Sequence, residues 1–241
     1  MHEPAALGAG EAARGVSASS AGNRPDRARR GGGFRPDAPV YAGKCARARK
    51  RGTEGDDGML ILETERLRLR ELETGDFGAL CRVLQDEAAM YAYAHAFSDA
   101  EVQDWLNRQR ARYREDGFGL WAVELRQSGR VIGQCGLTMQ DFGGRRVPEI
   151  GYLFERAHWH RGYATEAAVA CKLLAFCTLE LDAVYSIIRD DNLPSQAVAR
   201  RNGMAPVARV VKHYWGMDMP HIVYAVRRPD EVANGLRVLY N

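Results

Sequence analysis

The chain has 241 residues, 46% hydrophobic and 27% charged, with a formal net charge of +3 and a mean hydropathy of −0.39. No run of 18 apolar residues occurs, so the sequence offers no membrane-spanning helix. The charge is uneven: residues 1–58 carry eleven Lys/Arg against seven Asp/Glu, and the remaining 183 residues hold twenty-three basic and twenty-four acidic side chains. The larger part is therefore near neutrality and gives no electrostatic argument for a nucleic-acid partner.

Residues 1–58 are dominated by Ala, Gly, Arg, Pro and Ser with almost no bulky apolar residue, and are expected to form a disordered low-complexity extension. They lack the apolar stretch of a secretory signal. A Gly-Gly-Gly run and scattered prolines interrupt any amphipathic helix of the transit-peptide kind. Thirty Arg against four Lys point to a GC-rich coding sequence, in which open frames extend upstream, so Met59 is read as close to a natural start. Residues 59–241 are then one domain, long enough for a single core. The five cysteines (Cys45, Cys81, Cys135, Cys171, Cys177) form no C-x-x-C pair and no metal spacing with histidine. Buried thiols in a reducing cytoplasm, with no metal site, are expected.

Along the chain, Leu60 to Leu72 alternates apolar residues with Arg66, Arg68 and Arg70, the pattern of an exposed-edge first strand. Two helices are expected over Asp76 to about Tyr93 and over Ser98 to Asp116, the second opened by a capping box of Ser98 and Glu101. Phe118 to Leu125 and Arg130 to Gln140 read as strands across the turn Gln127-Ser128-Gly129. A strand over Val147 to Phe154 follows. The helix after it is expected from Thr165 to about Thr178, with Ala170, Leu173, Leu174 and Cys177 at helical spacing. Ala183 to Arg189 is a strand, Ser195 to Arg201 a short helix, and Val207 to His213 with His221 to Val226 a closing hairpin.

The chemistry concentrates after the fourth of these strands. Between it and its helix lies Trp159-His-Arg-Gly-Tyr-Ala164, where a Gly and an Ala let several backbone N–H groups converge, a geometry that holds a pyrophosphate at a helix N-terminus. The run Glu149-Ile-Gly-Tyr, then Trp159-His-Arg-Gly-Tyr-Ala-Thr-Glu-Ala167, resembles a block of the GNAT N-acetyltransferases, in particular the ribosomal-protein alanine N-acetyltransferases. Asp191-Asn-Leu-Pro-Ser-Gln-Ala-Val-Ala-Arg-Arg-Asn-Gly-Met204 is similar to that family's second signature. Two motifs in order carry far more weight than one glycine loop, and the resemblance spans roughly residues 59 to 228.

The resemblance implies an α+β domain with a mixed, mostly antiparallel sheet of about seven strands and flanking helices, splayed between the fourth and fifth strands. It implies transfer of an acetyl group from acetyl-CoA to a primary amine, either a protein N-terminus or a small molecule, through a ternary complex. A CoA-binding module without turnover, serving as sensor or partner, is the competing class, and monomer and homodimer both fit. By the resemblance, backbone amides of His160, Arg161, Gly162, Tyr163, Ala164 and Thr165 would hold the CoA pyrophosphate. Unpaired main-chain groups of Leu153 and Phe154 would receive the pantetheine arm, and Asn192 and Ser195 would lie beside it. Asn192 and Ser195 are equally well placed as a helix N-cap followed by Pro194.

Two departures stand out. His160 replaces a common family glycine, either strained at positive φ or free to contact a phosphate. Ala199 occupies the position seven after Asn192 where many relatives carry a Tyr that protonates the leaving thiolate. Glu149 is the candidate general base, with a surface carboxylate paired to an arginine as the plainer reading; His158, His213 and His221 are alternatives. Tyr91, Tyr93, His95 and Phe97 stand where the family builds its acceptor pocket, or simply pack a core.

Overall fold

A computed structural model describes residues 59–214 and 216–230. The expectations for residues 1–58 lie outside them. Thirteen main elements follow in order among the described residues: β1 (Leu60–Glu63), β2 (Leu67–Arg70), α1 (Phe77–Leu84), α2 (Glu87–Met90), α3 (Asp99–Glu115), β3 (Leu120–Leu125), β4 (Val131–Phe142), β5 (Arg145–Phe154), α4 (Tyr163–Cys177), β6 (Ala183–Arg189), α5 (Leu193–Arg201), β7 (Ala205–Tyr214) and β8 (Met217–Arg227). The strands form one sheet in the order β1-β2-β3-β4-β5-β6-β8-β7. Every neighbouring pair is antiparallel except β5 and β6, which run parallel and are joined through α4.

The sheet is buried on both faces. Ile150 and Phe154 of β5 pack with Ala167, Cys171 and Leu174 of α4 and with Val184 and Ile188 of β6. The opposite face packs Ala122, with Leu153 and Val131 at its margin, under Leu80 and Leu84 of α1 and Val102 and Leu106 of α3. Alternation along β5 therefore sends Glu149 and Leu153 to the α3 side and Ile150 and Tyr152 to the α4 side. Among the described residues no helix is long and apolar enough to cross a membrane.

Several expected elements are subdivided. The first strand becomes two, giving eight strands where about seven were expected, because Thr64 reverses the chain. Its N–H donates to Leu67 O at 2.9 Å and its Oγ1 accepts from Leu67 N at 3.0 Å. The expected helix from Asp76 to Tyr93 breaks at Asp86, whose side chain caps α2 by accepting from Ala88 N at 3.0 Å. The capping box of Ser98 and Glu101 is present. Helix α4 begins two residues before Thr165, and its buried stripe runs through Ala167, Ala168, Cys171, Leu174 and Ala175, leaving Leu173 outside.

The end of β5 is anchored by Glu155, buried where the chain leaves the sheet. Its carboxylate accepts from Arg82 of α1 and from Arg130 at 2.9 Å, and His158 Nδ1 lies 3.1 Å away. Burial alone would push the carboxyl up, but the two guanidinium hydrogen bonds outweigh it and hold it below the ordinary glutamate value. A depressed folded value means this anchor is fully stabilising above the unfolded pKa of about 4.3 and fades as pH falls through the folded one. Glu155→Gln should therefore cost most stability above about pH 5, and the gap to the parent should close as pH drops below about 4. Melting temperature against pH for both proteins checks this; a gap that is constant with pH would refute it.

Candidate functional site

The site begins where β5 and β6 part. Their register consists of one pair, Glu149 with Tyr185, after which the strands diverge. Side chains take over at the apex: Ser186 Oγ donates to Ile150 O at 2.8 Å, and Ile187 N donates to Glu149 Oε1 at 2.7 Å. Beyond this point Tyr152 and Phe154 direct their main-chain groups into the gap, because Glu155 N, one residue further, donates the other way to Ile132 O of β4 at 2.9 Å. This corrects one sequence expectation. Leu153 faces β4, opposite Gln134, so its main chain belongs to the ladder and Tyr152 takes its place beside Phe154 at the gap. Part of the Phe154 capacity is already used, since its carbonyl accepts from Trp159 Nε1 at 2.8 Å.

One flank of the gap is the turn into α4. His160 has φ 58° and Gly162 φ 81°, so two left-handed residues separated by one form a concave main-chain turn. The N–H groups of His160, Arg161, Gly162, Tyr163, Ala164 and Thr165 have no acceptor among the described residues, and the first intrahelical bond is Glu166 N to Gly162 O at 3.0 Å. A cluster of unpaired donors at a helix start suits a pyrophosphate. Positive φ at His160 answers the question its side chain posed: the position carries left-handed strain, on the order of 1–2 kcal/mol for a residue with a Cβ. The imidazole is exposed.

A residue the sequence reading passed over braces this turn. Arg66, in the turn between β1 and β2, donates from Nη1 to Arg161 O at 3.0 Å and from Nε to Glu166 Oε2 at 2.7 Å. Its guanidinium lies 4.6 Å over the Tyr163 ring. Thr64 Oγ1 donates to the other Glu166 oxygen at 2.5 Å. The Glu166 carboxylate is thus held by Arg66 and Thr64 and neutralised. A strand carrying three arginines held no local sign that one of them reaches α4, nearly a hundred residues on.

The other flank is the start of α5. Asn192 is its N-cap, with Oδ1 accepting from Ser195 N at 3.1 Å, so the capping role is present at the edge of the gap. Ser195 O accepts from Tyr152 Oη at 2.8 Å, a bond that spans from β5 to α5. Burial pushes the Tyr152 phenol well above its ordinary value. Ala199 is buried in the core, and no phenol stands at that position.

Glu149 sits at the apex on the α3 side, partly buried. Burial raises its carboxyl pKa, opposed by Lys212, the Ile187 N–H and Arg112. No salt bridge joins it to an arginine among the described residues. Of the alternative histidines, His158 belongs to the Glu155 anchor and His213 pairs with Asp218 in the exposed β7–β8 hairpin. His221 shares the Glu149 face, opposite Arg189, and burial lowers its pKa. The aromatic cluster extends into α3: Trp105 packs edge-on to Tyr93 at 6.1 Å and Phe97 at 5.8 Å, while His95 lies 2.8 Å from Glu101. Among the described residues no group of His, Cys, Asp and Glu is arranged to hold a metal.

Residues 66–205 match the family model of the acetyltransferase (GNAT) domain. The uncharacterized protein YkkB of Bacillus subtilis is 34% identical over 144 residues, 59% of this chain and 84% of that protein. An acetyltransferase of Agrobacterium tumefaciens superposes with a TM-score of 0.58 at 29% identity, covering 74% of this chain and 99% of that one. The RimL ribosomal-protein α-N-acetyltransferase in complex with coenzyme A shares the fold with a TM-score of 0.58 at 18% identity, covering 70% and 97%.

The Arg66 brace yields a prediction. Its guanidinium is 43% exposed, and an ion pair of that kind contributes at most about 1 kcal/mol, so stability should change little on Arg66→Gln. If the turn amides hold the pyrophosphate of acetyl-CoA, losing their fixed direction should raise the KM for it about tenfold while saturated kcat is retained. Steady-state kinetics beside a thermal melt check this, and an unchanged KM would remove the brace from binding.

Proposed function

Because the chain belongs to the GNAT acetyltransferase family, whose members move acetyl groups from acetyl-CoA, we propose that it acetylates a primary amine, on a protein N-terminus or a small molecule, by direct transfer in a ternary complex. The observation that carries this reading is Glu149 at the apex of the β5–β6 gap, with the unpaired amides of the α4 turn following the far end of β5. In this reading the amides of residues 160–165 take the pyrophosphate, and Tyr152 and Phe154 offer main-chain groups to the pantetheine arm. Asn192 and Ser195 line the α5 side of that arm. The thioester then lies near Glu149, on the side of the sheet that carries α3.

The chemistry balances on few groups. The amine nitrogen attacks the thioester carbonyl carbon, a C–N bond forms, and the C–S bond breaks. The amine proton passes to the Glu149 carboxylate, directly or through water, and the CoA thiolate gains a proton from water. One Glu149 oxygen is occupied by Ile187 N–H, which fixes the carboxylate and leaves the other oxygen for the proton. Its raised pKa makes it a stronger base than an exposed carboxylate. A CoA-binding module without turnover is favoured only by the buried Ala199 in place of a phenol. Release of free CoA in the presence of amines distinguishes the two.

Glu149→Gln should lower kcat/KM by about 100-fold at neutral pH, the scale of general-base catalysis. The deficit should shrink as pH rises, since more of the amine then arrives deprotonated, and acetyl-CoA affinity should hardly change. A pH–rate profile of both proteins is the measurement, and full activity of the variant at neutral pH would leave water as the base.

A further inference from the structure

Helix α3 brings two arginines to the side of the sheet that carries Glu149. Arg108 and Arg112 stand four residues apart, one turn of helix, so both side chains leave the same face. Both are half-buried. Arg112 Nη1 donates to Gln109 Oε1 at 3.2 Å, and the Arg108 guanidinium lies 5.6 Å over the Trp105 ring. Neither has a carboxylate within ion-pair distance among the described residues. The acids in electrostatic range of Arg112 are engaged elsewhere: Asp116 lies 3.3 Å from Arg146, and Glu149 accepts Ile187 N–H. Two other arginines of low exposure are closely paired, Arg70 with Asp76 at 2.7 Å and Arg228 with Asp182 at 2.8 Å. Arg108 has Asp104 and Glu101 in electrostatic range but in no ion pair with it, and burial still disfavours the charge of both guanidinium groups.

The same face carries Lys212, which acts on Glu149 as Arg112 does, and Arg189, which is paired with Asp191 at 2.6 Å. Glu149 is therefore a carboxylate set among cations, and the surroundings repel a second positive charge on the acceptor. They also favour the neutral amine over its ammonium form, which is the form that attacks. Resting on the amine-acetylation reading, we infer that the acceptor carries an anionic group, a carboxylate or phosphate near its amine, held by Arg108 and Arg112. Guanidinium forks suit such groups. Polyamines and other polycations are the acceptors this arrangement excludes.

Three tripeptides of like size test this, each with N-terminal serine followed by two glutamates, two glutamines or two lysines. Their affinities for the CoA-saturated protein are measured by calorimetry and their acetylation by CoA release from acetyl-CoA. The acidic peptide should bind about tenfold more tightly than the basic one, and its affinity should weaken with added salt. In the Arg108→Gln/Arg112→Gln protein the two should come within about twofold of each other, with CoA affinity unchanged. If that protein fails to fold, the salt dependence and peptide ranking in the parent protein decide the matter. Equal or tighter binding of the basic peptide, a preference that survives the double substitution, or no binding of any peptide overturns the inference. An acidic preference in binding without acetylation of any peptide would uphold the anion site and refute the amine-transfer reading instead.

Discussion

The parting of β5 and β6 after one register pair is the constraint on which the site depends. Two parallel strands linked through a helix would normally continue their ladder. Here the ladder stops at Glu149 and Tyr185, and each strand then turns into a helix. An unpaired buried main-chain group costs about 1–3 kcal/mol, so the apex is closed with side chains: Ser186 serves Ile150 O and Glu149 serves Ile187 N. Further along, the gap widens, and the starts of α4 and α5 come to its two sides. The opening, the amide cluster and the placement of Glu149 are thus consequences of one interruption in hydrogen bonding.

Around that gap the molecule separates its charges. At the α4 turn the donors are main-chain amides, and the nearby carboxylate, Glu166, is drawn off by Arg66 and Thr64. On the α3 side the donors are guanidinium groups, and Glu149 is a partly buried carboxylate whose pKa burial raises. The first arrangement favours binding of an anionic cosubstrate. In the proposed reading, the second favours an amine that arrives uncharged. Under that reading only the guanidinium groups lie near the reacting atoms, since the pantetheine arm separates the α4 amides from the thioester.

The fold was largely legible because its long elements carry strong local signals. The capping box at Ser98 and the strand over Val147 to Phe154 appear within two residues of where the local pattern puts them, and the closing hairpin is present, with its last strand starting four residues before His221. Errors came where one polar side chain reorganised the chain. Thr64 split the first strand, and Asp86 split the helix expected up to Tyr93. In α4 the helix itself was evident, but the buried stripe was not, because the helix is apolar around much of its circumference and pattern alone cannot choose a face.

The sequence by itself determined the family, the strand–turn–helix unit with Gly162 at its hinge, and Asn192 as a helix start, since each rests on residues close together in the chain. Only the tertiary structure decided that Leu153 faces β4 while Tyr152 faces the gap, because that choice depends on which neighbour each main-chain group pairs with. It also decided that Arg66 holds the α4 turn and that Arg108 and Arg112 share the Glu149 face. Those relations join residues about forty to one hundred positions apart. They follow from sheet order and helix packing, and local composition carries no trace of them.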